Sequence, residues 1–250
     1  MVFLKHSIAA FRFLTIIPIP GTFGADGEDL KGALPFFSLV GIILGVFSGA
    51  AAWTLWHLFP PLVAAVLLTL VLLSFSGALH LDGLADCADG FFSSRKREQI
   101  LEIMRDSRIG VMGVVALVIV LLLKVSALAQ MDVKNAVQAG ILMPIAGRSA
   151  LVLMMFLLPY VRQEGGMGTM FYSQRSGWAL LVTLVFFIGS CVTILGAKGM
   201  VAAMVVLLAI FLFSRLCHRK IGGATGDTFG ASCEIVETII PFCIPLFFFP

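Results

Sequence analysis

The stretch VMGVVALVIVLLLKVSALAQM, at residues 111–131, decides the fold class of this chain. It contains one charged side chain, Lys124, and its length matches the roughly 20 apolar residues that a helix needs to cross a bilayer. Because lipid offers no partners for backbone amides, such a run must form a helix. Five more long apolar runs lie elsewhere, at 34–58, 62–80, 136–159, 177–197 and 200–216. The sequence therefore predicts an all-α, polytopic membrane protein.

The composition of the whole chain agrees with lipid as its solvent. Of the 250 residues, 60% are hydrophobic and 12% are charged, and the mean hydropathy is +1.05. A soluble domain is nearer to roughly half apolar and a quarter charged. We therefore expect a single integral membrane domain over 1–250, in contact with the lipid bilayer. The net charge of +3 is too small to indicate a nucleic-acid partner.

Both ends of the chain carry shorter apolar segments. Residues 3–17 are apolar but contain three basic side chains, which predicts an amphipathic helix at the membrane interface, within an N-terminal segment over 1–33. Residues 235–249 contain two prolines and predict either a tilted crossing or a re-entrant piece. The expected architecture is a bundle of about 6–7 transmembrane helices.

The positions of lysine and arginine predict the orientation of the chain. Thirteen of the 17 cations fall in four segments that would share one side, 1–33, 81–110, 160–176 and 215–234, and two lie on the other. Basic loops stay in the cytoplasm during insertion. We therefore predict that these four segments and the N-terminus are cytoplasmic.

The segment 81–110 is rich in acids. In GALHLDGLADCADGFF, at 77–92, Asp82, Asp86 and Asp89 are spaced by four and then three residues. In a helix this spacing places the three carboxylates along one stripe. Clustered carboxylates repel one another unless a cation is present, and their hard oxygens favour Mg²⁺, Mn²⁺ or Ca²⁺ over zinc. The alternative is a solvated helix end whose acids pair with neighbouring arginines.

A cytoplasmic amphipathic helix is predicted over 93–110, with Ser93 or Ser94 as its cap. At its end, Asp106 and Arg108 adjoin the next span. Arginine gives bidentate contacts to phosphate oxygens, and the neighbouring aspartate can bind metal. We expect this pair to contribute to a metal and phosphate site.

A third acidic segment, RKIGGATGDTFGASCE at 219–234, is punctuated by glycines. Gly226 and Thr228 flank Asp227, and Glu234 follows seven residues after that aspartate. Repeated glycines beside threonine hydroxyls can present backbone amides to a phosphate. The order of residues is not that of a Walker A loop. The alternative is an ordinary glycine-rich turn between two spans.

Arg148 lies within the fourth apolar run. An arginine inside a span is costly and usually faces a partner or a polar cavity, so we expect either interior pairing or a contact with substrate. Lys124 and Glu237 are interpreted as structural residues. His80 precedes the acidic stripe and, as a lone histidine, is left out of the predicted metal site.

At these motifs the sequence resembles the cobalamin synthase (adenosylcobinamide-GDP ribazoletransferase) family. The segment GALHLDGLADCADGFFSSRKREQILEIMRDSRIGVMGVVAL, at 77–117, is similar to the signature of that family. The similarity continues in order along nearly the whole chain, at 12–20, 147–149, 162–168 and 222–234. One small departure is Gln163, where the family commonly has glutamate.

The resemblance implies the assembly of the lower nucleotide loop of cobalamin. Adenosylcobinamide-GDP would react with α-ribazole, or its 5′-phosphate, to give adenosylcobalamin, or its 5′-phosphate, and GMP. It also implies a multi-pass protein of the bacterial cytoplasmic (inner) membrane, with its active site facing the cytoplasm. Homo-oligomers and association with other cobalamin-assembly enzymes stay open.

This reaction needs a cation to neutralise a diphosphate, for which we expect Mg²⁺ as the cofactor, and donors for the departing phosphate. The expected metal ligands, which are also the expected catalytic residues, are Asp82, Asp86, Asp89 and Asp106. The expected substrate-binding residues are Arg108, Arg148, Gly226, Asp227, Thr228 and Glu234.

Three other function classes compete with this interpretation. A divalent-cation transporter should carry its acids near the middle of the bilayer, whereas these acids cluster at one face. Another membrane enzyme that resembles the CDP-alcohol phosphotransferases would also place acids at the membrane surface. A non-catalytic scaffold would leave the acidic, glycine-rich segments unexplained.

Overall fold

The computed structural model describes residues 1–162, 167–172 and 175–244, without the side chains of 167–169. Most of the glycine-rich run predicted at 162–168, including the departure at Gln163, lies outside the described residues, as does the end of 235–249. The helices in chain order are α1 (Val2–Leu14), α2 (Gly27–Lys31), a 3₁₀ turn (Leu34–Phe36), α3 (Phe37–Leu58), α4 (Pro61–Ser76), α5 (Leu79–Phe91), α6 (Arg97–Ile103), α7 (Val111–Ala129), α8 (Val133–Leu157), α9 (Met167–Tyr172), α10 (Gly177–Leu195), α11 (Ala197–Ile221) and α12 (Gly226–Cys243).

The predicted all-α, multi-pass architecture is confirmed. Within the described part of the chain, no strand forms beyond an isolated bridge between Tyr160 and Ala224. Five of its helical segments are long and apolar enough to cross a membrane, namely Leu34–Leu58, Val111–Ala129, Val133–Leu157, Gly177–Leu195 and Ala197–Ile221. A sixth is added if α4 and α5 together count as one broken span. Helix α1 occupies the predicted N-terminal amphipathic segment.

The second predicted run, 62–80, does not continue as one straight helix. Helix α4 ends at Ser76, and Gly77 and Ala78 take left-handed φ angles of 59° and 61°. Two such residues cannot continue a right-handed helix. Helix α5 then begins at Leu79, bent by 91° from α4. Helix α5 therefore lies nearly perpendicular to α4, across its end.

The predicted helix over 93–110 was wrong in its extent. Only Arg97–Ile103 is helical, and Lys96 takes the N-cap position in place of either serine. The Ser93 hydroxyl instead donates to the Gly90 carbonyl at 2.6 Å, at the end of α5. The serine is used to close the preceding helix, and the next one therefore starts later.

The predicted loop over 215–234 is mostly helical, which is a second correction. Helix α11 continues to Ile221, and α12 begins at Gly226. The Thr225 amide donates to the Thr228 hydroxyl at 2.9 Å, and the Thr228 amide donates to Thr225 Oγ1 at 3.3 Å. This reciprocal capping box satisfies two amides at the start of α12. Glycine-rich sequence here marks the start of a helix rather than an open phosphate-binding loop.

Helix α8 is the central element of the bundle. In its most apolar stretch of 18 residues, 83% is buried. The helix packs against α3, α10, α11 and α12. Small residues bring α3 and α8 close together: a Cβ on Gly45 would lie 2.5 Å from the Ile141 carbonyl oxygen, and the Ser48 hydroxyl donates to the Gly140 carbonyl at 2.5 Å. Close backbone approach of this kind is how helices associate in lipid. Helix α8 thereby gives α12 a fixed surface to pack on.

Candidate functional site

Helix α5 carries the acidic stripe, as its spacing predicts. Asp82 and Asp86 line a cavity of about 250 Å³, and Asp106 lines the same cavity from the turn after α6. Arg105 also lines it and brings a cation beside the acids. Three of the four carboxylates that the sequence assigned to a metal therefore line one cavity.

Asp89 lies apart from this group. One of its carboxylate oxygens accepts the Gly110 N–H at 2.7 Å, and the other accepts the Gly113 N–H at 2.8 Å. These amides belong to the start of α7, where N–H groups have no partner inside the helix. Both oxygens of Asp89 are thus engaged in holding the start of α7 against α5.

We expect Asp89→Ala to lower the free energy of unfolding by about 1–2 kcal/mol, as is typical for the loss of a helix cap. Thermal unfolding in detergent measures this change. Glu98→Ala, at an exposed position of α6, serves as the matched control. A loss no larger than that of Glu98→Ala would contradict this role.

Asp106 and Arg108 pair with each other at the surface. The Arg108 Nη2 lies 2.6 Å from Asp106 Oδ2, and the arginine side chain is 86% exposed. Hydrogen bonds from Arg108 lower the pKa of Asp106 to about 2. Asp106 is therefore ionised at neutral pH, and its ion pair with Arg108 is exposed to solvent.

The carboxyl of Asp86 has the opposite electrostatic surroundings. Burial, followed by the nearby charges of Asp82 and Asp227, raises the pKa of Asp86 to about 7. The cation of Arg162 opposes this shift without cancelling it. A carboxyl in such surroundings takes up either a proton or a metal ion near neutral pH.

Asp227 joins the group from the first turn of α12. Its Oδ2 lies 2.6 Å from Arg162 Nη2 and accepts the Thr225 hydroxyl at 3.2 Å. The bridge between Tyr160 and Ala224 holds the chain that precedes Arg162 beside the start of α12. In the sequence, Arg162 was one of the cytoplasmic cations and the first residue of the run at 162–168, and nothing in its spacing pointed to Asp227.

Two glycines allow α5 and α12 to touch. A Cβ on Gly83 would lie 2.7 Å from the Asp227 carbonyl oxygen, and one on Gly230 would lie 3.1 Å from the His80 Cα. This contact brings Asp82 and Asp227 into one site although they are far apart in the sequence. Gly226 is exposed, and a Cβ there would meet no atom within 4 Å. Its position leaves space at the site.

A second cavity, of about 310 Å³, adjoins the acids. Asp82 and Asp227 line it together with His80 and Arg162, while the rest of its wall is mainly apolar and aromatic. Its aromatic side chains are Phe13, Phe37, Tyr160, Phe171 and Phe229. The sequence did not single out these residues, since they come from five separate segments of the chain.

Two residues assigned to substrate binding lie inside the bundle instead. Arg148 Nη1 lies 2.6 Å from Glu237 Oε1, and Lys124 Nζ lies 2.8 Å from Glu234 Oε2 and 3.6 Å from Glu237 Oε2. All four side chains are buried, and none of them lines either cavity. Of the two expectations for Arg148, the structure shows interior pairing. Thr228, whose hydroxyl completes the capping box, is also fully buried.

The donor set fits a cation that is shared with substrate. Among the described residues, no three His, Cys, Asp or Glu side chains stand close enough to hold a metal by themselves. Mg²⁺ commonly uses one or two carboxylates together with substrate phosphates and waters. The four predicted carboxylates do not form one metal site by themselves. Asp82 and Asp86, which line one cavity, are compatible with a site of two carboxylates.

Comparison with known proteins agrees with the resemblance seen in the sequence. The model of the family described as cobalamin-5-phosphate synthase matches residues 6–244. An adenosylcobinamide-GDP ribazoletransferase of Desulforamulus reducens is 38% identical over 237 residues, covering 95% of this chain and 94% of the relative. A protein of the same name from Clostridium tetani is 37% identical over 239 residues, covering 95% and 94%. No solved structure matches the chain. This chain belongs to the cobalamin-5-phosphate synthase family.

Proposed function

We propose that this protein completes the nucleotide loop of cobalamin, by joining adenosylcobinamide-GDP to α-ribazole or its 5′-phosphate with release of GMP. Family membership over almost the whole chain supports this reaction. The observation that carries it is the meeting of Asp82 and Asp86 on α5 with Asp227 on α12, beside two cavities. Phosphoryl transfer between two nucleotide fragments requires such a group of acids and cations.

The chemistry assigns distinct tasks to these residues. A hydroxyl of α-ribazole attacks the phosphorus next to cobinamide, the bond from that phosphorus to the GMP oxygen breaks, and a carboxylate of the group takes the hydroxyl proton. Arg105, which lines the smaller cavity, and Arg108, which pairs with Asp106 of that lining, contact phosphate oxygens. Asp82 and Asp86 would hold Mg²⁺, which supplies charge neutralisation of the diphosphate.

A direct assay tests the reaction. Protein purified in detergent should release GMP from adenosylcobinamide-GDP when α-ribazole is added, and neither substrate alone should give GMP. Omitting Mg²⁺ and adding a chelator should abolish the release. Release of GMP without α-ribazole would indicate a hydrolase and contradict the proposal.

The arrangement argues against the transporter alternative. Among the described residues, the two acids buried in the bundle, Glu234 and Glu237, are each paired with a buried cation. A path for divalent cations should instead offer unpaired acids along the bundle. The acids of the candidate site, Asp82, Asp86 and Asp227, lie instead where α5 meets the start of α12.

The dependence on Mg²⁺ should vary with pH. Because the pKa of Asp86 is raised to about 7, a proton occupies this carboxyl below that pH and competes with the cation. We expect the apparent affinity for Mg²⁺ to fall as the pH is lowered from about 8 to about 6, with release of a proton on binding. Turnover measured as a function of Mg²⁺ at several pH values gives this dependence. Asp86→Asn should remove it, and an unchanged dependence in that variant would exclude Asp86 as its source.

The site is proposed to face the cytoplasm, where the nucleotide substrates are present. The five cysteines of the chain are all buried. Labelling of a cysteine introduced at the surface is therefore not obscured by labelling of these native thiols. In intact cells an impermeant thiol reagent should spare Ser94→Cys and label Lys134→Cys, both at exposed positions. The reverse pattern would overturn the orientation.

A further inference from the structure

The larger cavity has an aromatic wall built from distant parts of the chain. Phe13 of α1, Phe37 of α3 and Phe171 of α9 meet with ring centroids 5.0–5.9 Å apart. On another part of the wall, the rings of Tyr160 and Phe229 are nearly parallel, with an interplanar angle of 22°. Flat aromatic surfaces of this kind favour a planar, apolar ligand group.

Two polar side chains in this wall have a buried atom without a hydrogen-bond partner among the described residues, namely Nε of Arg162, whose Nη2 is engaged with Asp227, and Nε2 of His80. His80 lines the cavity and is only 5% exposed, yet its Nε2 has no hydrogen-bond partner among the described residues. A buried polar atom without a partner is costly and is a reason to look for a ligand. Each ring nitrogen of a neutral imidazole is either a donor or an acceptor. The open Nε2 of His80 can therefore make one hydrogen bond to a bound group.

We propose that this cavity binds the fused two-ring aromatic base of α-ribazole, and that His80 Nε2 donates a hydrogen bond to the ring nitrogen that is not bonded to the ribose. The inference rests on the proposed function, because it places one of the two substrates of that reaction. Asp82 and Asp227 line the same cavity. The attached ribose therefore lies beside the acidic group, where its hydroxyl must react.

The other aromatic or bulky parts of the substrates fit less well. A guanine base carries several donors and acceptors, which the phenylalanine wall would leave unpaired at a cost. The corrinoid is much larger than a volume of about 310 Å³, which is at the lower end of ligand pockets in general. A two-ring base with one free nitrogen matches both the size of the cavity and the open Nε2 of His80.

Two substitutions test the placement in the full-length protein. Phe171→Leu removes a ring from the wall but keeps it apolar. Phe213→Leu is the matched control, because its ring packs against Phe91 elsewhere in the bundle. We expect Phe171→Leu to raise the KM for α-ribazole roughly tenfold and to leave the KM for adenosylcobinamide-GDP unchanged, with no change of either value in the control. An equal rise of both KM values in Phe171→Leu would overturn the placement.

The role of His80 is tested with a substrate analogue. The α-riboside of 5,6-dimethylindole has a C–H in place of the free ring nitrogen. Wild-type protein should prefer α-ribazole over this analogue by roughly tenfold in kcat/KM, and His80→Phe should lose that preference. A preference that persists in His80→Phe would exclude the hydrogen bond.

Failure of the proposed reaction would be recognised separately. In that case the wild-type protein would release no GMP. Equilibrium titration of α-ribazole would still report on the cavity, and weaker binding by Phe171→Leu than by Phe213→Leu would support it. Equal binding by these two variants would refute it.

Discussion

Asp82→Asn should lower turnover by about two orders of magnitude or more while the protein still inserts and folds. The substitution keeps the size of the side chain and removes one anionic oxygen ligand. Asp82 is exposed and lines both cavities, so the change creates neither a void nor a buried unpaired group. GMP formed per purified protein, at saturating Mg²⁺, measures the effect.

A matched control and a double substitution sharpen this test. Asp29→Asn, in the short helix α2, changes an acid far from α5 in sequence and outside both cavities, and it should leave turnover unchanged. Asp82→Asn combined with Asp227→Asn should cost far less than the two single losses together, because residues that act as one unit are not additive. Residual activity of each single variant must be measurable. Fully additive losses would separate α12 from the acidic site.

Arg148→Met should be the most destabilising of these substitutions. It removes the hydrogen-bonded cation of Glu237 and leaves that carboxylate with the more distant Lys124, 3.6 Å away, and the weak donor Cys233 Sγ at 3.5 Å. Breaking a buried pair from one side typically costs about 3–5 kcal/mol. Unfolding in a denaturing detergent, monitored by the circular dichroism of the helices, should show a loss of free energy of unfolding of this size.

The matched partner substitution distinguishes a broken ion pair from lost packing. Arg148→Met with Glu237→Gln removes both members of the pair and leaves the pair of Lys124 with Glu234 in place. Replacing a whole buried pair by groups of similar volume is often close to neutral. We therefore expect the double variant to be more stable than Arg148→Met alone. If it is less stable, the arginine contributes through packing rather than through charge.

The sequence by itself determined the class of fold and the main acidic helix. The lipid-spanning helices follow from local composition, since a run such as 111–131 has no other stable form in a bilayer. The spacing of Asp82 and Asp86 is likewise a local property, and both lie on one helix that lines one cavity. The motifs at 77–117 also lie within one continuous segment, and for this reason the family resemblance could be seen in the sequence.

Only the tertiary structure decided which partner each polar side chain has. Asp89 has the same spacing as a metal ligand but is used by the amides that start α7. Glu234 and Arg148 resemble site residues in sequence, yet each is neutralised inside the bundle.

The aromatic cavity and the contact of α5 with α12 through Gly83 could not be predicted from the sequence either. Such contacts join segments that are distant along the chain, and residue spacing within one segment carries no information about the surface on which it packs. The bend at Gly77 and Ala78 and the packing of α12 against α5 and α8 determine where each side chain lies. The site is therefore a product of packing between helices, one of which, α12, begins within a segment that the sequence had predicted as a loop.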